Sequence, residues 1–101
     1  MQFEKSDDGT VLKLTLDKKL SAVTADQLEK DLEKNLAGVK DFTIDMAKLA
    51  YVSSAGLRVL LKAQKYITRK ENGTMKIINA VPEVMKIFST TGFNEILNIS
   101  E

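Results

Sequence analysis

The sequence predicts an α/β domain: a mixed β-sheet, with an N-terminal hairpin plus parallel strands, carries helices packed on it in the order β-β-α-β-α-β-α-β. Two observations favour this class. Apolar and polar residues alternate near the start of the chain, which indicates a strand with one wet face. Further along, short apolar runs alternate with stretches of helical period, which is typical of strand–helix–strand units. With 101 residues and no composition break, we expect one domain over residues 1–101.

The hairpin is predicted from a turn between two extended segments. Residues 2–5 form a short strand, and the Asp-Asp-Gly run at 7–9 supplies a hairpin turn. Residues 10–16 then alternate, with Leu12, Leu14 and Leu16 on one face and Lys13 and Thr15 on the other. The chain therefore opens with two antiparallel strands.

The first helix is predicted to begin at Thr24. Gln27 lies three residues further on and would complete a capping box with the threonine. A buried face follows at a spacing of four, and Gly38 lies where a helix commonly ends. This face comprises Leu28, Leu32 and Leu36.

The next unit is a short strand over 41–45, a loop over 46–50 and a long helix from Ser54 to about Lys70. The strand should lie parallel to the one before the first helix, with a right-handed crossover. The long helix shows one apolar face, made by Leu57, Leu60, Leu61 and Ile67.

The chain is predicted to end with a strand, a helix and a strand. Residues 74–78 are largely apolar, as in a central strand. Pro82 starts the third helix and Gly92 ends it. A last short strand is expected around Ile96 and Leu97.

The composition excludes several classes of function. The net charge of +1, from 15 basic and 14 acidic residues, gives no support to nucleic-acid binding. The chain has no cysteine and no histidine, so it lacks thiolate chemistry, Ser-His-Asp catalysis and the common zinc ligands. No signal peptide or membrane-spanning run is visible, which favours a cytoplasmic protein without membrane insertion.

Four acidic residues could suggest a divalent metal site: Asp7, Asp8, Asp41 and Asp45. Their spacing fits no EF-hand loop, and the chain has no Gly-rich phosphate loop of the Walker type. Turn and strand-end chemistry explains them. We therefore expect no metal ion, no cofactor and no enzymatic activity.

The candidate functional site is the turn before the long helix. Ser54 is expected at the N-cap, where its hydroxyl would accept a backbone hydrogen bond. The helix dipole and unpaired N–H groups there would favour a phosphate on this serine. The small residues Ala55 and Gly56 leave room for a partner to approach. Arg58 lies one turn further on, close enough to interact with the charge of a phosphate. A serine that only caps the helix would also explain the pattern.

The run from Ile44 to Leu61, IDMAKLAYVSSAGLRVLL, resembles the signature of the STAS domain, which sulfate transporters and anti-sigma factor antagonists share. In length and element order the chain is similar to the free-standing bacterial anti-sigma factor antagonists. The resemblance implies a regulatory binding protein that sequesters a serine-kinase anti-sigma factor and is switched off by serine phosphorylation. It places the phosphoacceptor on Ser54, followed by Ala55, Gly56 and Leu57.

Two positions depart from the family pattern. The family carries Asp before the phosphoacceptor, where this chain has Ser53, and often Asp in a Leu-Asp pair, where this chain has Ser21. The resemblance places both near the kinase-docking surface, and Ser53 becomes a competing acceptor. The resemblance also leaves open a constitutive interaction subunit, for example in a lipid-transport ATPase. The sequence does not define the sigma factor, the pathway or the oligomeric state.

Overall fold

A computed structural model describes residues 1–100. Its four strands are β1 (Gln2–Lys5), β2 (Val11–Leu20), β3 (Asp41–Val52) and β4 (Thr74–Ile78). Its three helices are α1 (Ala22–Asn35), α2 (Ser54–Thr68) and α3 (Pro82–Thr91). The sheet order is β1-β2-β3-β4, with β1 antiparallel to β2 and the other neighbours parallel. The predicted α/β class with a mixed sheet is confirmed.

The helices pack on one face of the sheet. Alternate residues of the strands join the apolar faces of the helices in one hydrophobic core. The strand residues on this face include Leu12, Leu14, Ile44 and Ile77, all fully buried. The residues between them, such as Lys13 and Lys76, are exposed, so the other face of the sheet meets water.

The strands β2 and β3 are longer than the sequence indicated. The predicted strand over 41–45 continues to Val52, so the expected loop over 46–50 is wrong. Pairing with β2 persists through two register shifts, one on each side of the Asp17–Lys18 step. Lys18 adopts a positive φ of 59° there. The irregularity breaks the alternation that would have marked the strand in the sequence.

The first helix begins two residues earlier than predicted. Ser21 is its N-cap, and Thr24 lies inside the first turn as the second member of the capping box. Gln27 instead donates to Asp31 at 3.0 Å. The predicted bounds of α3 are confirmed, since Pro82 begins it and Gly92 follows it with a φ of 79°.

The C-terminal segment does not form the strand predicted around Ile96 and Leu97. A single 3-10 turn covers Phe93–Glu95, and one isolated bridge then pairs Ile99 with Ile77 in parallel. Apart from this bridge β4 is the edge of the sheet, which corrects the expectation of a central strand. The backbone around Leu97 turns because its N–H donates to the carbonyl of Phe93 at 2.8 Å.

The helices are short on the scale of a bilayer. The longest, α2, has 15 residues. No helix within residues 1–100 is long and apolar enough to cross a membrane.

Candidate functional site

The starts of α1 and α2 lie side by side at one edge of the sheet. Each helix follows the carboxyl end of a parallel strand, and Leu20 at the end of β2 is in register with Val52 at the end of β3. The Ser53 N–H donates to the Leu20 carbonyl at 2.8 Å, which ties the two turns together. The structure therefore brings together the two regions that the sequence singled out, around Ser21 and around Ser54.

The cap of α2 is Ser53, not Ser54 as predicted. Ser53 has extended backbone, with φ −80° and ψ 169°, and its Oγ accepts a hydrogen bond from the Gly56 N–H at 3.1 Å. Ser54 is the first helical residue. The sequence reasoning chose the wrong one of two adjacent serines because either hydroxyl could cap, and only the backbone path decides between them.

The Ser54 side chain is exposed at the beginning of the helix, whereas Ser53 is half-buried. The first-turn N–H groups of Ser54 and Ala55 have no acceptor within the helix. The first turn of α2 also contains no acidic residue. An anion on the Ser54 oxygen would therefore meet unpaired donors and the positive end of the helix dipole.

Gly56 lets the start of α2 lie directly against the end of β2. A Cβ on this residue would be 2.8 Å from Leu20 Cγ, 2.9 Å from Leu20 Cδ2 and 3.1 Å from the Leu20 carbonyl oxygen. Leu20 is 1% exposed, so its side chain has little room to withdraw. Gly56 thus acts as a packing residue that fixes where Ser54 sits, rather than as open space for a partner.

Ser21 has a structural role similar to that of Ser53. Its Oγ accepts from the Thr24 N–H at 3.3 Å, while its own N–H donates to Thr24 Oγ1 at 2.7 Å. Thr24 Oγ1 also donates to the Lys19 carbonyl at 2.9 Å. Ser21 is half-buried, and the role of its hydroxyl in the structure is to cap α1.

The basic residues of α2 differ in their surroundings. Lys62 pairs with Glu29 of α1 at 2.8 Å, and this hydrogen bond is the main reason that the pKa of Lys62 is raised. Both side chains meet water, so the pair contributes little to stability. Arg58 is exposed and forms no ion pair within residues 1–100. Because it lies four residues after Ser54, the two side chains share one side of the helix.

A groove of about 420 Å³ lies between α1 and α2, further along the helices. Its apolar lining includes Leu32 and Ala63, each 4% exposed, and Tyr66, which is 45% exposed. Charged residues of both helices, such as Glu29 and Lys62, also line the groove.

The acidic residues considered for a metal site lie in separate local structures. Asp8 accepts from Ser6 Oγ and from Thr10, and these hydrogen bonds lower its pKa. Asp41 accepts from Thr74 Oγ1, and Asp45 from the Ala47 N–H. No group of three or more acidic side chains that could hold a metal ion forms among residues 1–100. Turn and strand-end contacts account for Asp8, Asp41 and Asp45, and the fourth residue, Asp7, is exposed in the same turn as Asp8.

Comparison with known proteins identifies the family. The family model of the STAS domain matches residues 2–101, and the chain belongs to this family. It is 31% identical to BtrV of Bordetella bronchiseptica, whose assignment as an anti-sigma factor antagonist is provisional, over 88% of this chain and 86% of BtrV.

Two solved structures share the fold. The Thermotoga maritima protein TM1081, also assigned provisionally as an anti-sigma factor antagonist, matches with a TM-score of 0.86 and 20% identity. That match covers 99% of this chain and 85% of TM1081. The unphosphorylated anti-sigma factor antagonist SpoIIAA, a Bacillus protein, matches with a TM-score of 0.83 and 17% identity, over 99% of this chain and 87% of SpoIIAA.

Sequence reasoning missed the contribution of Leu20. Its carbonyl accepts from Ser53 and its side chain packs against Gly56, yet it precedes both by more than thirty positions. A hydrophobic side chain does not by itself indicate which residue it packs against. The only available signal was the glycine itself, which is unfavourable inside a helix unless a close approach requires it.

Proposed function

We propose that this chain is a cytoplasmic, non-enzymatic anti-sigma factor antagonist that binds a serine-kinase anti-sigma factor and is released when that kinase phosphorylates Ser54. The observation that carries the proposal is the division of roles between two neighbouring hydroxyls. The Ser53 oxygen caps α2, while the Ser54 side chain is exposed in the first turn. Family membership and the likeness to BtrV support the class of partner.

The replacement of the family's Asp by Ser53 is compatible with this switch. Aspartate and serine are both good N-cap residues, so the substitution preserves the cap and removes a negative charge beside the acceptor. A phosphate on Ser54 would add a charge of about −1.5 to −2. The helix dipole would stabilise that charge by roughly 0.3–1 kcal/mol at an exposed position. Phosphorylation would therefore change the surface without unfolding the helix.

A phosphorylated form is described for one of the structural relatives. SpoIIAA is described both in an unphosphorylated and in a phosphorylated form. For this chain the acceptor, the kinase and the effect on binding are our proposal. That residues 1–101 act as one domain is part of it, supported by the single hydrophobic core.

The proposal is tested with purified serine-kinase anti-sigma factors from the source organism. Each is incubated with ATP and the wild-type chain, Ser54→Ala or Ser53→Ala, and the products are mapped by mass spectrometry. We expect one kinase to modify wild type and Ser53→Ala on Ser54 and to leave Ser54→Ala unmodified. Ser54→Asp should bind that kinase more weakly than wild type. Absence of modification by every kinase, or modification at Ser53, would contradict the proposal.

One feature favours a second candidate, a constitutive interaction subunit such as that of a lipid-transport ATPase. Neither Ser21 nor Ser53 supplies the acid that the family often presents near its kinase. Affinity purification from cells separates the candidates, because an ATPase that copurifies equally with wild type and Ser54→Asp would support the constitutive role. A small kinase that copurifies with wild type alone would support the switch.

A further inference from the structure

The groove between α1 and α2 has an apolar floor and one exposed aromatic wall. Its volume of about 420 Å³ lies within the range of small-molecule pockets, roughly 300–1,000 Å³. The aromatic wall is Tyr66, which is 45% exposed. The floor comprises four apolar residues, each 6% exposed or less: Leu32, Leu36, Val59 and Ala63. Ligand pockets typically combine such an apolar lining with a few polar groups that fix the orientation of the ligand.

The charges that line the groove are unevenly paired. Lys62 binds Glu29 at 2.8 Å, and this hydrogen bond, with a smaller contribution from Glu33, raises the pKa of Lys62. Both acids of the lining therefore act on Lys62. Lys65 and Arg69, one and two turns further along the chain, form no ion pair within residues 1–100. Three cations against two acids leave the lining with a net charge of +1, which matches one negative charge on a ligand.

Lys70 adds positive charge next to the groove and contacts Tyr66. Its Nζ donates to the carbonyls of Leu36 and Val39 at 2.8 and 2.9 Å. These carbonyls follow α1, where the negative end of the helix dipole would otherwise repel an anion. The same Nζ lies 4.6 Å from the centroid of the Tyr66 ring, in a cation–π contact that still leaves the ring exposed to water. The end of the groove near Tyr66 is therefore suited to an anion that carries an aromatic ring.

We propose that the groove binds a small aromatic carboxylate, whose ring lies against Tyr66 and the apolar floor and whose carboxylate meets Lys65 and Arg69. A guanidinium matches a carboxylate in shape and can bind both of its oxygens. Aromatic rings favour offset or edge-to-face contact with each other. A multiply charged ligand such as a nucleoside triphosphate is disfavoured, because two acids line the same groove. Ser54 does not line the groove, so the inference does not depend on the proposed function.

The chemistry of the ligand is tested with three probes, whose binding to the purified chain is measured by isothermal titration calorimetry. Naphthoate has two fused rings and a carboxylate, naphthylmethylammonium has the same rings and the opposite charge, and decanoate has a carboxylate without a ring. We expect naphthoate to bind most tightly, the cation at least about tenfold more weakly, and decanoate more weakly by a smaller factor, because each lacks one of the two contacts. Absence of naphthoate binding, or another probe that binds as tightly as naphthoate, would overturn the inference.

Variants with matched controls test the individual contacts. Arg69→Gln and Lys65→Gln remove cations of the groove, whereas Lys86→Gln removes an exposed lysine of α3. Tyr66→Ser removes the aromatic wall, and Tyr51→Ser is its control, since Tyr51 is 47% exposed and does not line the groove. We expect Arg69→Gln and Tyr66→Ser each to weaken naphthoate binding about tenfold, Lys65→Gln by a smaller factor, and both controls not at all. Equal losses in groove and control variants would contradict the proposed contacts.

Two further measurements separate a lost contact from a lost fold and locate the ligand. Circular dichroism shows whether each variant is folded, and Tyr66→Phe keeps the ring, so it should bind naphthoate as the wild type does; a loss there would contradict the ring contact. Backbone amide chemical shifts should change on addition of naphthoate at residues of the groove, such as Ala63 and Arg69. Changes centred on Ser54 instead would refute the site. Self-association that Tyr66→Ser abolishes, without naphthoate binding, would assign the groove to a second copy of the chain and would also refute the inference.

Discussion

Substituting Gly56 by alanine tests the close contact that sets the position of Ser54. In this variant the new methyl group would lie 2.8 Å from Leu20 Cγ and 3.1 Å from the Leu20 carbonyl oxygen. Both distances are shorter than ordinary van der Waals contact, and the buried Leu20 cannot rotate into solvent. The helix start must therefore move away from the end of β2.

The expected magnitude is the difference between two effects. Overpacking of a tight contact costs about 1–3 kcal/mol. Alanine also regains about 0.5–1 kcal/mol relative to glycine through its better helix propensity. The free energy of unfolding should fall by about 1–2 kcal/mol. For a chain of 101 residues this corresponds to a fall in melting temperature of about 5–15 °C.

Urea and thermal unfolding measure this loss, and a double-mutant cycle with Leu20→Ala assigns it to the contact. Leu20→Ala alone should cost about 2–5 kcal/mol, because it leaves a cavity under the helix start. Together with Gly56→Ala, the new methyl group occupies part of that space. The double variant should then be more stable than the sum of the single effects predicts, by about 1 kcal/mol.

Two results would refute the reasoning. A Gly56→Ala variant as stable as wild type would mean that α2 shifts at no cost and that the close approach does not fix its start. Strict additivity with Leu20→Ala would place the cost elsewhere than in the contact between these two residues.

Three further predictions concern single side chains. Lys70→Met should lower the free energy of unfolding, measured in urea, by about 1–2 kcal/mol. The reason is that Lys70 Nζ donates to the carbonyls of Leu36 and Val39, which follow α1, at 2.8 and 2.9 Å. The control Lys65→Met, at an exposed lysine, should have little effect. Hydrogen bonds to Asp8 lower its pKa below the usual value of 3.8, so they stabilise the fold above that pH, and this contribution is lost as the pH falls through the depressed pKa. In Asp8→Asn the free energy of unfolding should therefore depend less on pH in that window. An unchanged pH dependence would contradict this prediction. Ser53→Ala should cost about 0.5–2 kcal/mol by removing the α2 cap, whereas Ser54→Ala should change stability little; a larger loss in Ser54→Ala would contradict the assignment of the cap.

Much of the fold could be predicted from local pattern. The alternation at Leu12, Leu14 and Leu16 and the helical spacing of Leu28, Leu32 and Leu36 predicted the faces that are buried. The bounds of α3 followed from Pro82 and Gly92, whose backbone preferences are nearly independent of the rest of the chain. These predictions succeeded because the spacing of apolar residues within one helix or strand is enough to show which of its faces is buried.

Other features could not be predicted because they depend on pairing between distant segments. The extension of β3 to Val52 requires the end of β2 beside it, including the irregular step at Lys18. Within residues 1–100, the C-terminal segment pairs with β4 through a single bridge, between Ile99 and Ile77, and so does not form the predicted strand. Short apolar runs do not reveal how many backbone partners they will find.

The sequence alone determined the class of fold, the family and the short segment that contains the candidate site, since these depend on residue types and their spacing. Only the tertiary structure decided which serine caps α2, which serine faces solvent, and why residue 56 must be glycine. The physical reason is that capping, close packing and exposure depend on the backbone path and on contacts between β2 and α2. More than thirty residues separate Leu20 from Ser53 and Gly56 in the sequence, so no local pattern indicates these contacts.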